Sequence, residues 1–422
     1  MLDIKNIRQN PKELEQALKD RSYTFDLDGF LKLDQERRNL LAKIEDLKAS
    51  QNKINTQMQA LLKAKGDPKL RIAESKQLKK EIVACQTLFD DQNKDFKSKL
   101  SRIPNIPHES TPKGGPDKND IGPTKGKLVD FSFKPKDHIE LSENLDIIDF
   151  KRATKLSGSN FILFKGLGAT LERALINFML DLHVSEHGYK EVLPPVLVSE
   201  DSMFATGQLP NLKDDMYKVE KDNLYLIPTA EVPLTNIHRD EVLGDGDLPI
   251  YYTAYTSCFR REAGSYGKDT RGLMRVHQFE KVELVKFTKP EDSYKELESL
   301  LVNACRILDL LKLPFRIITL ASGDISFASA KTYDIELYAP GIDKWLEVSS
   351  CSNFEDFQAR RANIRYKEKG KNVFVHTLNG SGVALPRLIV AILENYQDSD
   401  GSISIPEVLK KYMGNIDKIQ KK

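Results

Sequence analysis

Leucine or isoleucine recurs every seven residues through the first part of the chain, which favours a long helix packed along a seam. The residues of this repeat are Leu33, Leu40, Leu47, Ile54 and Leu61. Gly66 and Pro68 then end the helix. A second seam follows at Leu78, Ile82, Cys85, Phe89, Phe96 and Ile103. Because a short turn joins them, the sequence predicts an antiparallel coiled-coil hairpin with helices about 45–50 Å long.

This hairpin is basic. Between Lys32 and Ile103 there are 17 Lys or Arg and 10 Asp or Glu, whereas the whole chain has 64 and 62. One interpretation is a solvated arm for protein contacts. Another is an arm whose cations bind along a phosphate backbone and release its counterions. The charge of the hairpin does not decide between these two interpretations. The near-zero net charge of the whole chain excludes a protein that is basic throughout.

A chain of 422 residues is too long for one ordinary domain. Five prolines and three glycines between Arg102 and Pro123 indicate a linker. The predicted domains are therefore a helical arm at 1–103, a linker at 104–123 and a mixed domain at 124–422. Four scattered cysteines, no apolar leader and no membrane-length apolar run lead us to expect a soluble cytoplasmic protein without membrane contact.

The mixed domain carries many short β-rich runs with few helices between neighbours, so its predicted class is α+β with a mainly antiparallel sheet flanked by helices. The predicted strands are Leu224–Ile227, Tyr251–Phe259, Leu273–Phe287, Phe315–Ala321, Thr332–Tyr338, Trp345–Ser349 and Val373–Leu378. The predicted helices are Leu171–Val184, Glu291–Lys312, Asp356–Lys367 and Val383–Tyr396.

Two familiar site motifs are excluded or weak. No G-x-x-x-x-G-K-[ST] is present, which excludes a P-loop nucleotide site. The run at 183–187 matches the zinc pattern H-x-x-E-H, but Gly188 ends the helix at once and no third ligand is evident. Cationic residues at a surface helix terminus explain it as well.

Three other segments suit a nucleotide. The run Phe-Arg-Arg-Glu at 259–262 ends a predicted strand, and a glycine-rich return leads to Phe279, so cations and an aromatic ring meet in one hairpin. The run at 347–350 offers hard oxygen ligands suited to magnesium. At 379–382 a small-residue turn is predicted to lead a strand into a helix bearing Arg387. Each alone suits a solvated turn, but together they indicate polyanion binding.

These segments resemble motifs 2 and 3 of class II aminoacyl-tRNA synthetases, and Gly188-Tyr189 with Pro194-Pro195 resembles motif 1. Within that class the whole chain resembles the seryl-tRNA synthetases of the bacterial type. The stretches that carry the resemblance are Thr229-Ala230-Glu231, CFRREAGSYGKDTRGLMRVHQFEKVE from Cys258, SAKTYDIE from Ser329, SSCSNFEDFQARR from Ser349 and HTLNGSG from His376.

The resemblance implies an enzyme that activates L-serine with ATP and loads it onto tRNA(Ser), with tRNA(Sec) left open. It implies Arg260, Glu283 and Arg387 as catalytic residues. It implies contacts to serine from Thr229, Ala230, Glu231, Glu283 and Ser381. It implies contacts to ATP from Arg260, Arg261, Glu262, Val276, Phe279, Glu347, Val348, Ser349, Ser350 and Arg387. Glu347 and Ser350 would hold Mg²⁺.

The resemblance also implies a homodimer with Pro195 at its interface and a tRNA grip by the basic arm. Two alternatives are a related enzyme that loads a small amino acid onto a carrier protein and a non-catalytic coiled-coil adaptor. The carrier-loading enzymes tend to lose the arm, which this chain retains. An adaptor would not need Arg260, Glu262, Glu347 and Arg387 together.

Overall fold

The computed structural model describes residues 1–263 and 271–421, and these divide into two compact units. The helical unit comprises Leu2–Lys19 and Tyr23–Ile103. The sheet unit comprises Met1, Asp20–Ser22 and the chain from Pro104 onward.

Four helices build the first part of the chain: α1 Ile4–Gln9, α2 Pro11–Asp20, α3 Leu27–Lys63 and α4 Lys69–Leu100. The Asp26 carboxylate caps α3 by accepting a hydrogen bond from the Gly29 amide. At 37 and 32 residues, α3 and α4 are about 55 and 48 Å long at the usual helical rise. The two-helix hairpin predicted from the leucine repeat is confirmed.

Contacts between α3 and α4 run in opposite directions along the two helices, as an antiparallel pair requires. Near the base, an Arg37 guanidinium nitrogen lies 3.4 Å from the Asn93 amide oxygen. Lys43 pairs with Glu81 at 3.2 Å. Toward the turn, the Ser75 hydroxyl donates to the Asn55 side chain at 3.2 Å.

Asp34 on α3 is a buried carboxylate at the base of the helical unit, with 1 % of its side chain exposed. Arg8 donates to both of its oxygens at 2.7 and 2.9 Å, and Arg37 donates at 3.0 Å. Burial acts to raise the pKa of this carboxyl, but the hydrogen bonds from Arg8 and Arg37 outweigh it and the pKa is lowered. This network joins α1 to α3.

The sheet unit contains most of the remaining elements. Its further helices are α5 His138–Asn144, α6 Phe150–Ser157, α7 Leu167–Ser185, α8 Glu200–Thr206, α9 Glu231–Thr235, α10 Ser293–Leu310, α11 Phe357–Ala362 and α12 Leu385–Asn395. Its strands are β1 Asp120–Ile121, β2 Lys190–Glu191, β3 Leu197–Ser199, β4 Lys218–Val219, β5 Leu224–Leu226, β6 Val242–Leu243, β7 Ile250–Phe259, β8 Gln278–Thr288, β9 Phe315–Thr319, β10 Lys331–Ala339, β11 Lys344–Asn353, β12 Arg365–Glu368, β13 Lys371–Phe374, β14 His376–Ala384, β15 Ile403–Ser404 and β16 Lys418–Ile419.

Within the described residues, eight strands form one sheet in the order β1-β9-β10-β11-β14-β8-β7-β2. Its neighbours are antiparallel except for β2 and β7, which are parallel. Helices α7, α10 and α12 pack against this sheet through an apolar core that includes Val282 and Leu284 of β8. Side chains alternate along a strand, so Phe279, Lys281 and Glu283 face the other way. The α+β class is confirmed.

Four predicted segments differ in detail. The single strand expected at Val373–Leu378 is divided between β13, which ends at Phe374, and β14, which begins at His376. The strand expected from Leu273 begins at Gln278, because residues 273–276 form a loop. The helix expected to reach Lys367 ends at Ala362, since Asn363 is left-handed with φ +55°, and β12 follows. The turn expected at 379–382 lies inside β14, which continues to Ala384 before α12 begins.

The proline-rich segment at 104–123 is packed into the sheet unit. The Asn105 side-chain amide donates to the carbonyls of Ala328 and Phe354, both at 2.9 Å. The Thr111 hydroxyl donates to the Ala330 carbonyl at 3.0 Å, and β1 extends the sheet beside β9. Prolines here stiffen a segment that has its own fixed contacts. Among the described residues, none of the helices has the length and apolar character needed to cross a bilayer.

Replacing Asp34 with Asn should destabilise the helical unit by about 2 kcal/mol, because the ion pairs with three arginines, Arg8, Arg37 and Arg38, are lost. Because the folded pKa is lowered, the stabilisation is present at neutral pH and is lost as pH falls through the folded value. Hydrogen exchange of the α3 amides in the full-length protein measures it. Asp46→Asn, at an exposed position on the same helix, is the control, and equal exchange rates in the two variants would contradict the prediction.

Candidate active site

A cavity of about 400 Å³ lies over β8, β11 and β14 of the sheet unit. Its floor comes from strand residues, and its walls come from the loops at 206–212, 260–262, 273–276 and 326–328. The N-terminal end of α12 closes one side with Pro386 and Arg387. Most of the predicted site residues line this cavity: Thr229, Glu231, Arg260, Glu262, Val276, Phe279, Glu283, Glu347, Val348, Ser349, Ser350, Ser381 and Arg387.

One end of the cavity is a buried cluster of acidic and basic groups. The Thr229 hydroxyl donates to Glu283 Oε2 at 2.8 Å and accepts from Lys281 Nζ at 2.9 Å. Lys281 also forms an ion pair with Glu283. All three side chains are nearly inaccessible to solvent. A buried carboxylate paired with both a lysine and a hydroxyl is held in one orientation.

Glu231 adds a second buried carboxyl at this end. Its Oε1 accepts from the Gln358 side chain at 2.7 Å, and its backbone amide donates to the Thr229 hydroxyl at 3.1 Å. Burial, followed by repulsion from Glu283, raises the pKa of Glu231 to about 7. Near neutral pH this carboxyl therefore exchanges its proton readily, and a cationic group placed beside it would favour the ionised form.

The middle of the cavity carries the aromatic and cationic groups predicted for a nucleotide. The Arg260 guanidinium carbon lies 5.3 Å from the centre of the Phe279 ring, and Arg260 Nε reaches the Pro228 carbonyl at 3.4 Å. Glu262 has a left-handed backbone with φ +51°, which directs its carboxylate to Arg275 at 2.9 Å. An aromatic ring with hydrogen-bonding groups beside it in the same part of the cavity suits a purine base.

The other end of the cavity is cationic at the start of α12. Arg387 Nη1 donates to the Glu347 carbonyl at 2.8 Å and lies 3.7 Å from its carboxylate, while Arg387 Nε donates to the Met274 carbonyl at 3.3 Å. Pro386 lies in the first turn of α12, where no intrahelical amide donor is needed. The helix therefore tolerates this proline and presents Arg387 to the cavity.

Glu347 and Ser350 fit a magnesium ion in charge and ligand type. Glu347 is half exposed toward the cavity. Ser350 pairs across the sheet with Asp334, whose Oδ1 is inaccessible and has no hydrogen-bond partner among the described residues. Burial, followed by repulsion from Glu347, raises the pKa of Asp334 to about 8. A cation bound beside Glu347 would lower the pKa of Asp334 again and favour its ionised form.

No group of three or more His, Cys, Asp or Glu side chains is arranged to hold a metal in the part of the chain that the structure describes. Mg²⁺ often takes only one or two protein ligands and completes its shell with water and phosphate oxygens.

The H-x-x-E-H run at 183–187 was expected at a surface helix terminus. In the structure His183 is instead buried, and its Nδ1 lies 2.9 Å from Nδ1 of His187.

Two predicted residues lie elsewhere in the described structure. Ala230 is fully buried beneath the cavity rather than lining it. The Arg261 side chain is exposed and does not line the cavity, while its backbone amide donates to the Asp215 carbonyl at 2.9 Å. The prediction that Arg261 contacts ATP rests only on its place beside Arg260 in the sequence.

Lys281, Arg275 and Asn379 line the cavity but were not predicted as site residues. A signal for Lys281 was available, because residues 279, 281 and 283 alternate on one face of a strand. Arg275 and Asn379 had weaker signals, since each is a single polar residue within a segment from which other residues were predicted.

Two protein-family models match the chain. The seryl-tRNA synthetase N-terminal domain matches residues 1–107, and the tRNA synthetase class II core domain (G, H, P, S and T) matches residues 217–396. The cavity, with its arginines and mainly antiparallel sheet, lies in the second of these. The chain is thus a class II aminoacyl-tRNA synthetase.

Comparison with whole proteins narrows the class. The serine–tRNA ligase of Carboxydothermus hydrogenoformans is 54% identical over 429 residues, covering all of both chains. That of Thermodesulfovibrio yellowstonii is 53% identical over 420 residues, covering 98% of this chain and 99% of the relative. The chain belongs to the serine–tRNA ligase family, which confirms the resemblance found in the sequence.

A solved structure gives the same result for the fold. The seryl-tRNA synthetase of Pyrococcus horikoshii, complexed with ATP, is similar over the full length of both chains with a TM-score of 0.92 and 38% identity. The similarity spans both the helical unit and the sheet unit.

Replacing Glu231 with Gln should remove a pH-dependent destabilisation. Because the folded pKa is raised from 4.5 to about 7, the folded state holds a proton that the unfolded chain releases, and stability falls as pH rises across that interval. The thermal midpoint of the variant, relative to the unmodified protein, should therefore be higher at pH 8 than at pH 5. Glu200→Gln, at an exposed position, should show no such trend. A Glu231→Gln difference that is constant with pH would refute the assignment.

Proposed function

We propose that this chain activates L-serine with ATP and transfers the seryl group to tRNA(Ser). The observation that carries the proposal is a single cavity with a buried Glu–Lys–Thr cluster at one end and arginines at the other. The first end suits a small zwitterion, and the second suits a triphosphate. The relatives are named serine–tRNA ligases, and the Pyrococcus horikoshii enzyme was crystallised with ATP.

The buried cluster would bind serine. Glu231 and Glu283 supply negative charge for the ammonium group, and Thr229 and Ser381 supply small polar side chains beside them. Lys281 offsets the charge of Glu283, so the cluster can hold two carboxyls close together. A site built to hydrogen-bond a hydroxyl discriminates strongly against an analogue without it, because its polar groups would be left unpaired. This is how alanine would be rejected.

Adenylate formation needs position and charge more than a general base. The serine carboxylate is already ionised, so one of its oxygens attacks the α-phosphorus while pyrophosphate leaves. Arg260 lies between the two ends of the cavity and would bridge the carboxylate and the α-phosphate. Phe279 would stack on the adenine, with Glu262 and Val276 at its edge. Arg387 would neutralise the γ-phosphate.

Glu347 and Ser350 would hold Mg²⁺, which supplies charge neutralisation at the phosphate oxygens. In the second step a hydroxyl of the terminal ribose of the tRNA attacks the acyl carbon and AMP leaves. The roles of these residues follow from their place in the cavity and from the family motifs.

The helical unit would bind the tRNA. Its hairpin carries a surplus of seven positive charges between Lys32 and Ile103, and exposed cations along a rod of about 50 Å suit a phosphate backbone. We place the chain in the cytoplasm, where such a reaction meets its tRNA.

We also propose that the active form is a homodimer. Apolar side chains are exposed around Pro195, with Leu193 at 87% exposure and Val196 and Leu197 beside it. A run of exposed apolar residues next to the edge strand β2 suits burial against a second copy of the chain.

Replacing Arg260 with Ala should reduce serine-dependent exchange of pyrophosphate into ATP by at least about 100-fold, because charge at the reacting phosphate would go unneutralised. The assay requires no tRNA, so it isolates the first step. Arg152→Ala removes an arginine that is largely exposed and does not line the cavity, and it should leave exchange unchanged. Near-normal exchange in Arg260→Ala would reject the assignment of this site.

Replacing Lys76, Lys79 and Lys80 with Gln should lower kcat/KM for tRNA about 10-fold and reduce its salt dependence, because up to three phosphate contacts are lost. All three residues are exposed on α4. Pyrophosphate exchange should not change. The matched variant with Arg at the three positions keeps the charge and should charge tRNA normally, and unaltered charging in the Gln variant would remove this face of α4 from the tRNA site.

A further inference from the structure

A buried histidine–glutamate pair lies outside the cavity, and none of the roles above uses it. Glu394 is near the C-terminal end of α12, the helix that begins beside Arg387, and it is fully inaccessible to solvent. His138 is the first residue of α5 and is also buried. The two residues are 256 positions apart in the chain.

Glu394 is held in one orientation by four hydrogen bonds. Its Oε1 accepts from the His138 backbone amide at 3.0 Å and from His138 Nδ1 at 2.9 Å. Its Oε2 accepts from the amides of Gly341 and Ile342 at 2.8 and 3.2 Å. A carboxylate bonded to Nδ1 places the hydrogen of the neutral imidazole on that nitrogen, so Nε2 is left as an acceptor.

His138 Nε2 faces the loop that forms a wall of the cavity. The Leu273 amide points to it at 3.4 Å, a long hydrogen bond. Gly272 packs against the same atom with no room for a side chain, because a Cβ added there would lie 2.3 Å from Nε2. Gly272 also has φ +63°, so only glycine fits this position without strain. The backbone of the loop is therefore seated against the imidazole ring.

The residues that follow Leu273 reach the proposed ATP site. Met274, Arg275 and Val276 line the cavity, and the Met274 carbonyl accepts from Arg387 Nε at 3.3 Å. The loop is thus fixed at two successive residues, by the ring of His138 and by Arg387. Both supports involve α12, since Glu394 orients the ring and Arg387 belongs to the same helix.

We propose that His138, oriented by Glu394, is a positioning residue for ATP. It holds the loop at 272–276 so that Val276 and Arg275 face the nucleotide. The serine cluster lies on β8 and in the Thr229–Glu231 segment, whereas the hydrogen bonds of the His138 ring within the described residues join it to Glu394 and to the Leu273 amide. This inference rests on the proposed function, and it assigns the pair to the ATP half of the cavity only.

His138→Asn tests the proposal, because asparagine keeps a donor near the Nδ1 position for Glu394 but has nothing at Nε2. In pyrophosphate exchange, KM for ATP should rise about 10-fold through misplacement of the loop, while KM for serine should stay within about twofold. His376→Asn is the matched control, since His376 bonds to Ser293 through Nδ1 at 2.9 Å and does not line the cavity. It should change neither constant.

A double-mutant cycle gives a second test that does not depend on the hydrogen bond. Gly272→Ala should raise KM for ATP because its Cβ meets the ring, and His138→Ala removes that ring. The double variant should therefore raise KM for ATP by clearly less than the product of the two single changes. Multiplying effects would mean that the ring and the loop are independent.

The outcomes distinguish a failure of the proposed function from a failure of the positioning role of His138. Absence of serine-dependent exchange in the unmodified protein would reject the proposed function itself. Normal exchange there, with unchanged KM for ATP in His138→Asn or equal rises in both KM values, would overturn only the positioning role. Equal changes in His138→Asn and His376→Asn would overturn it too, because the loss of either histidine would then have the same effect.

Discussion

The buried ion pair between Lys281 and Glu283 is the interaction on which the cavity depends. Lys281 also bonds to Thr229, so a buried positive charge lies among groups that would otherwise repel one another. Glu231 then needs only its own proton or a bound cation to be balanced, as its raised pKa indicates. The cluster is short of one positive charge when Glu231 ionises. The ammonium group of the serine in our proposal would supply that charge.

The strand β8 connects this cluster to the rest of the molecule. One face of β8 carries Phe279, Lys281 and Glu283 into the cavity, and the other carries Val282 and Leu284 into the apolar core against the helices. The alternation of a strand therefore fixes an aromatic ring, an ammonium group and a carboxylate in a line with no flexible element between them. Arg260, at the end of the neighbouring strand β7, lies over the same line.

Much of this could be predicted from the sequence, where the physics is local. The seven-residue repeat predicts the hairpin because seam packing depends only on spacing. The Phe-Arg-Arg-Glu run predicts the cationic group in the middle of the cavity because its charges are consecutive in the sequence. The turn predicted around Gly380 is wrong, because that prediction rests on the preference of glycine for turns. In the fold a Cβ there would lie 2.9 Å from Cys351 Sγ, so this glycine allows close packing inside β14. His138 and Glu394 could not be paired, because no local pattern links positions so far apart.

The large sheet ends on both sides in very short strands, β1 with Asp120–Ile121 and β2 with Lys190–Glu191. Each outer strand therefore exposes few unpaired amide and carbonyl groups, and three of these four residues are charged. Long apolar outer strands would invite other chains to add to the sheet. Even at high protein concentration, this chain can therefore keep a broad sheet without templating amyloid-like stacking along its borders.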